Sequence, residues 1–262
     1  MSKDRIFFGQ ESSFSLDLYL LSRTLKRDIT RPFVLVCPGG GYFFVNPREG
    51  ESIALALNAV GINAAVLNYT TEEGTRYPTQ LKEAAIAMDW IKSNAKNLDA
   101  NPEFVYMMGF SAGGHLAASV ATLWNKEKDI KKFNCRPRAV ILAYAVTISG
   151  KFENKRTFDN LCGDDAQLRN FTSLVDKVYK DTPQFFIWHT YEDELVPVEN
   201  AIEFSRALRK NDVPFEMHIY QKGPHALSLA KYFTADTDEQ INEHVSTWFS
   251  LATDWICQDF KK

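Results

Sequence analysis

Short apolar runs alternate along the chain with longer stretches of helical period. The runs at 33–37, 64–69, 104–109, 139–145, 184–189 and 215–220 are short and rich in Val, Ile, Phe and Ala. Most are too continuously apolar to leave one face in water, which is the pattern of strands buried on both sides of a parallel sheet. Pro78 opens a helical stripe of Leu81, Ala84, Ala85, Met88 and Ile91, and Pro197 precedes another with Ala201, Phe204, Ser205 and Leu208. The last stretch sets Ile241, Val245, Trp248, Phe249, Ala252, Trp255 and Ile256 on one side. Stripes of this width face a core. The alternation predicts an α/β fold with a mostly parallel central sheet and helices on both faces. A weaker alternation, Phe14, Leu16, Leu18 and Leu20, precedes it.

One interval breaks the rhythm. Residues 148–183 are polar and only weakly periodic, and a connection this long inside a compact fold is usually a functional insertion. The expectation is one domain over 1–262 with a short lid insertion at about 148–183. Phe152, Phe158 and Phe171 in that segment either pack over a pocket or anchor the insertion. No internal repeat or linker points to a second domain.

Composition narrows the function classes. The 262 residues are 45% hydrophobic and 24% charged, which predicts a packed core rather than a disordered chain. With 30 Lys+Arg against 33 Asp+Glu, no basic footprint for nucleic acid stands out. The stretch 126–132 is broken by Glu127 and Asp129 and reads as a solvated loop. No window is long and apolar enough to span a bilayer, and MSKDRIFFGQ lacks the apolar centre of a secretion signal, so a cytoplasmic protein without membrane partners is expected. Cys37, Cys135, Cys162 and Cys257 form no C-x-x-C pair and are expected as reduced thiols.

The sharpest chemical signal is Gly109-Phe110-Ser111-Ala112-Gly113-Gly114-His115, between an apolar strand and a helix of small residues. A serine on a tight strand-to-helix turn projects its hydroxyl above the sheet, and small neighbours let the backbone bend there. The helix behind it aims its N-terminus at developing negative charge. A second signal, Pro38-Gly39-Gly40-Gly41-Tyr42, follows the strand at 33–37. Its glycines let backbone N–H groups approach a ligand closely, as an oxyanion hole requires. A phosphate loop would need Gly-Lys-Ser/Thr or G-x-G-x-x-G, and neither is present.

A nucleophilic serine needs a base and an orienting acid, which in a strand–turn–helix site of this kind follow in the order acid, then histidine. His115 and His189 come too early, while His218 and His244 fall inside a strand and a helix pattern. His225 lies on a loop after the strand at 215–220 and is the expected base. The acid is expected on the loop after 184–189, where Asp193 is the first choice and Glu192 and Glu194 are close competitors; Asp164 and Asp165 rank below them.

Together PGGGY, GFSAGGH, WHT followed by DELVP, and GPH resemble the α/β-hydrolase superfamily, in particular its bacterial acetyl-esterase/lipase branch, which is often linked to carbohydrate esterases. The resemblance spans residues 33 to about 229. It implies Asp193, the residue preceding x-x-Val-Pro, as the acid and His225 as the base, with the N–H groups of Gly40, Gly41 and Ala112 as oxyanion donors. Three positions depart from its pattern: Pro38 where relatives often have His, Thr70 where they often have Arg, and Ala226 where Gly is usual. The resemblance further implies a small-molecule ester substrate with a short acyl group and no metal or organic cofactor; the sequence itself adds only that Tyr42, Phe43 and Phe44 are expected to crowd the pocket beside the glycines. The same triad serves peptide or amide cleavage, and a hydrolase scaffold can also act as a non-catalytic binding module.

Overall fold

The computed structural model describes residues 4–8, 14–22 and 30–260. Eight strands form one sheet in the order β1-β2-β4-β3-β5-β6-β7-β8: β1 (Asp4–Phe7), β2 (Ser15–Tyr19), β3 (Arg31–Cys37), β4 (Asn63–Asn68), β5 (Ala100–Phe110), β6 (Ala139–Ala143), β7 (Gln184–Thr190) and β8 (Phe215–Tyr220). The weak N-terminal alternation becomes β2, paired antiparallel to β4 and to the unanticipated β1. From β3 to β8 every pairing is parallel. All six of those strands therefore deliver their following loops to the same edge of the sheet.

Helices lie between and after them: α1 (Glu51–Ala59), α2 (Thr79–Ser93), α3 (Ser111–Leu123), α4 (Lys155–Cys162), α5 (Ala166–Phe171) and α6 (Glu199–Lys210) link strands, and α7 (Glu243–Ser246) and α8 (Trp248–Cys257) follow β8. One core packs α2, α3, α4 and α6 against side chains such as Leu35, Met107, Leu142 and Ile187. The other packs α1 and α8 against Val36, Met108, Ile141 and Trp188 from the opposite pleats. This two-sided burial explains why the strands read as continuous apolar runs. The expected last helix is interrupted at Thr247, and within it Val245, Trp248, Ala252 and Ile256 are buried while Phe249 and Trp255 are half-buried.

Residues 148–183 hold two short helices, α4 and α5, and a 3-10 turn at Val175–Lys177. Arg169 ties the segment together through Glu153 and Asp159. Phe158 is fully buried against the ring of His115, and Phe171 packs edge-on to Tyr77. Among the described residues, no helix is long and apolar enough to cross a membrane.

The strand order locates the site. After β3 the chain moves through α1 to β4 on one side, then returns through α2 to β5 on the other. Loops leaving the carboxyl ends of β3 and β5 thus diverge, and a crevice at such a reversal is where open α/β sheets bind ligands.

Candidate active site

Ser111 opens α3 directly at the end of β5, with φ +52°. The surrounding glycines are required by contact: a Cβ on Gly109 would lie 2.3 Å from the Gly113 carbonyl oxygen, and one on Gly113 only 2.0 Å from that of Cys37. Such distances are closer than side-chain carbons can approach, so the turn can close on itself and on β3 only with hydrogen at those positions. The Ser111 side chain is thereby lifted to the mouth of the crevice.

His225 brings its Nε2 to 2.8 Å from Ser111 Oγ and its Nδ1 to 2.6 Å from Asp193 Oδ2. Since a carboxylate only accepts, Nδ1 carries the proton and Nε2 faces the hydroxyl as an acceptor. Asp193 is held in turn, with Oδ1 accepting from the backbone N–H groups of Leu195 and Val196 at 3.0 and 2.8 Å. His189 adds its Nε2, 3.3 Å from Asp193 Oδ2 and 2.9 Å from the Val196 carbonyl. Burial pushes the Asp193 carboxyl up, but hydrogen bonds from His189 and His225 and the charges they can carry outweigh it and hold Asp193 well below the usual carboxylate range. Of its competitors, Glu192 turns outward to Lys222 and Glu194 is exposed.

The glycine loop has its carbonyls engaged elsewhere. Pro38 O accepts from Tyr69 Oη at 2.8 Å, Gly39 O from Asn46 N, Gly40 O from Phe43 N and Phe44 N, and Gly41 O from Asn160 Nδ2 at 2.8 Å. With φ of +123° at Gly40 and +62° at Gly41, the backbone adopts a turn that side chains resist. Gly40 and Gly41 line the same cavity as Ser111 and His225, a space of about 210 Å³ closed further by Phe44 and Leu195. Ala112 is buried in the first turn of α3, where helix N–H groups lack intrahelical partners. A wider hollow of about 780 Å³ lies across the acid loop and does not contain the serine.

Tyr42, expected beside the acyl group, is placed differently. Its ring is buried beneath the loop against Tyr69 and His115, and its hydroxyl lies 2.9 Å from His115 Nδ1. Phe44 is the aromatic of that trio that lines the cavity, and Phe43 stands exposed under the guanidinium of Arg156. His115 donates from Nε2 to the Thr172 carbonyl at 2.8 Å, and burial pulls its imidazole down to about 4 despite that bond. It is an interior strut between the glycine loop and α5.

Several cavity groups escaped the sequence reading: Glu49, Asn154, Arg156 and Thr157. Glu49 sits in an Arg-Glu pair that reads as solvated surface, yet its side chain is buried. The other three belong to a segment without clear periodicity. Among the described residues, no cluster of three or more His, Cys, Asp and Glu could hold a metal ion.

Residues 16–208 match the BD-FAE family. The endo-1,4-beta-xylanase B of Butyrivibrio fibrisolvens is 34% identical over 233 residues, covering 85% of this chain and 36% of that protein. The acetylxylan esterase of Xylanibacter ruminicola is 30% identical over 220 residues, 80% of this chain and 44% of that protein. The chain thus spans less than half the length of either curated relative. Among solved structures, an acetyl ester-xyloside bifunctional hydrolase from Caldicellulosiruptor lactoaceticus superposes with a TM-score of 0.83 at 33% identity, covering 94% of this chain and 88% of that one. By fold, by motif and by these likenesses, the chain belongs to the BD-FAE family and with it to the carbohydrate-esterase-like α/β-hydrolases.

Proposed function

We propose that the protein is a serine carboxylesterase that removes short acyl groups, acetyl foremost, from esters of carbohydrates. The observation that carries this reading is the hydrogen-bond line Asp193–His225–Ser111 ending in a small cavity beside the Gly40 and Gly41 amides. In the proposed cycle His225 Nε2 takes the Ser111 proton as Oγ attacks the ester carbonyl. The N–H groups of Gly40, Gly41 and Ala112 receive the oxyanion. His225 then passes the proton to the departing alcohol, leaving an acyl-serine, and a water activated by the same imidazole releases the acid. Asp193 keeps the imidazole tautomer and stabilises its cation.

The acyl preference is supported by the volume of about 210 Å³, bounded by Phe44 and Leu195, and by relatives named for acetyl esters and acetylxylan. Residues 148–183 are proposed as an insertion of this single hydrolase domain that covers the mouth, since Asn154, Arg156 and Thr157 line the cavity. Hydrolysis of p-nitrophenyl esters of rising chain length tests the proposal. A maximum at acetyl that disappears in Ser111→Ala is expected; equal rates across chain lengths, or activity surviving in the variant, would overturn it.

A further inference from the structure

Glu49 is a buried acid outside the proposed triad, sitting against the catalytic cavity. It belongs to the short 3-10 turn Pro47–Glu49 that follows the glycine loop. Its Oε2 accepts from the N–H of Gly39 at 2.8 Å, one residue before the first proposed oxyanion donor. Its Oε1 accepts from the hydroxyl of Tyr144 at 2.8 Å. That same hydroxyl accepts from Ser228 N at 2.9 Å, and the Tyr144 ring stands edge-on to the His225 ring with centroids 5.0 Å apart. The approach to Gly39 is close enough that a Cβ there would fall 2.7 Å from Oε2.

We infer that Glu49 is a positioning residue of the reaction, a single carboxylate that locks the oxyanion loop to the loop carrying His225. The claim rests on the serine-hydrolase reading above. Its physical content is directional. Gly39 has one N–H, and by accepting it Glu49 sets the orientation of the Pro38–Gly39 peptide unit, the one just before the unit that carries the Gly40 N–H. The loop's carbonyls are already occupied elsewhere, so this bond completes the fixing of the turn and leaves the next amides aimed at the cavity. Through Tyr144 the same group holds Ser228, three residues after the base. Donors fixed before the reaction stabilise an oxyanion without reorganising, which acts on the transition state rather than on substrate binding. Burial pushes the Glu49 carboxyl up, and the bonds from Tyr144 and Gly39 with the charges that His225 and Arg48 can carry offset only part of that, so it stays raised.

The test compares Glu49→Gln, Glu49→Ala and Tyr144→Phe with the wild type. For each, kcat and KM are measured on an acetyl ester, together with the Ki of a trifluoromethyl ketone whose carbonyl carbon accepts Ser111 Oγ and whose oxygen becomes the oxyanion. Glutamine keeps the shape but offers one acceptor for two donors. The expected result is a kcat loss of about 100-fold for Glu49→Ala and about tenfold for Glu49→Gln, on the scale of a disturbed oxyanion donor. Tyr144→Phe should lose less than Glu49→Ala. KM should stay within about threefold, and Ki should rise in proportion to the fall in kcat/KM. Folded Glu49→Gln or Tyr144→Phe with unchanged Ki overturns the inference, as does a loss confined to KM. A wild type that binds no ketone overturns the serine-hydrolase reading itself, and this inference with it.

Discussion

At the scale of single residues, the site depends on which carboxylate faces inward. Asp193 takes two backbone N–H groups on one oxygen and two imidazoles on the other. Asp193→Asn keeps the shape but can donate where His225 Nδ1–H needs an acceptor, favouring the wrong tautomer. The expected fall in kcat is on the order of 10³- to 10⁴-fold with the fold retained, read by ester hydrolysis beside circular dichroism. In the sequence, Ser111 and His225, which the structure brings within hydrogen-bond distance, stand out because a strand-to-helix turn and a post-strand loop are local patterns. The acid is harder to separate, since Glu192, Asp193 and Glu194 are adjacent and only the direction of each side chain distinguishes them; Asp193 is the first choice there, and the resemblance singles it out. Tyr42 shows the converse limit. Its place next to three glycines pointed to the cavity, but a φ of +59° turns it into the core.

At the scale of elements, α3 explains both what was readable and what was hidden. All thirteen of its residues are buried, so it has no polar stripe, and its small residues rather than any amphipathic period marked it as a helix pressed on a sheet. Gly113→Ala should force the helix off β3 and lower unfolding free energy by more than about 3 kcal/mol, measured by urea titration. The loop after β8 offers the opposite case. Ala226 holds φ +61°. Relief of that backbone strain exceeds the extra chain entropy of glycine, so Ala226→Gly should raise stability by up to about 1 kcal/mol in the same titration. The helix α1 went unanticipated because its apolar face, Ile53, Ala54 and Leu57, is only three residues wide. The break at Thr247 could not be read either, as the apolar spacing runs through it without interruption.

For the molecule as a whole, the mostly parallel character of the sheet was legible from the repeated alternation, whereas β1, four residues long and largely exposed, was not, and β2 showed only as a weak alternation with no sign of its antiparallel pairing. Global stability should depend on pH through the interior histidine. His115 is held near 4 in the folded protein against about 6.5 for a free imidazole. Unfolded chains therefore bind a proton that the folded one refuses, and stability declines as pH drops through that window. Between pH 7 and 5 the decline from this group is about 2 kcal/mol, and His115→Gln should flatten the profile by that amount. Asp193, held low, adds stability that persists above the ordinary carboxylate range and is lost at more acid pH. A last consequence follows from where the groups of the proposed triad are mounted. Ser111 rides on the fully buried central helix, while His225, the proposed base, lies on the loop after β8, an edge strand with Met217 and Ile219 exposed. Warming should free the periphery first, so turnover should vanish several degrees below the calorimetric transition and return on cooling, with α3 amides still protected from deuterium exchange in the silent state.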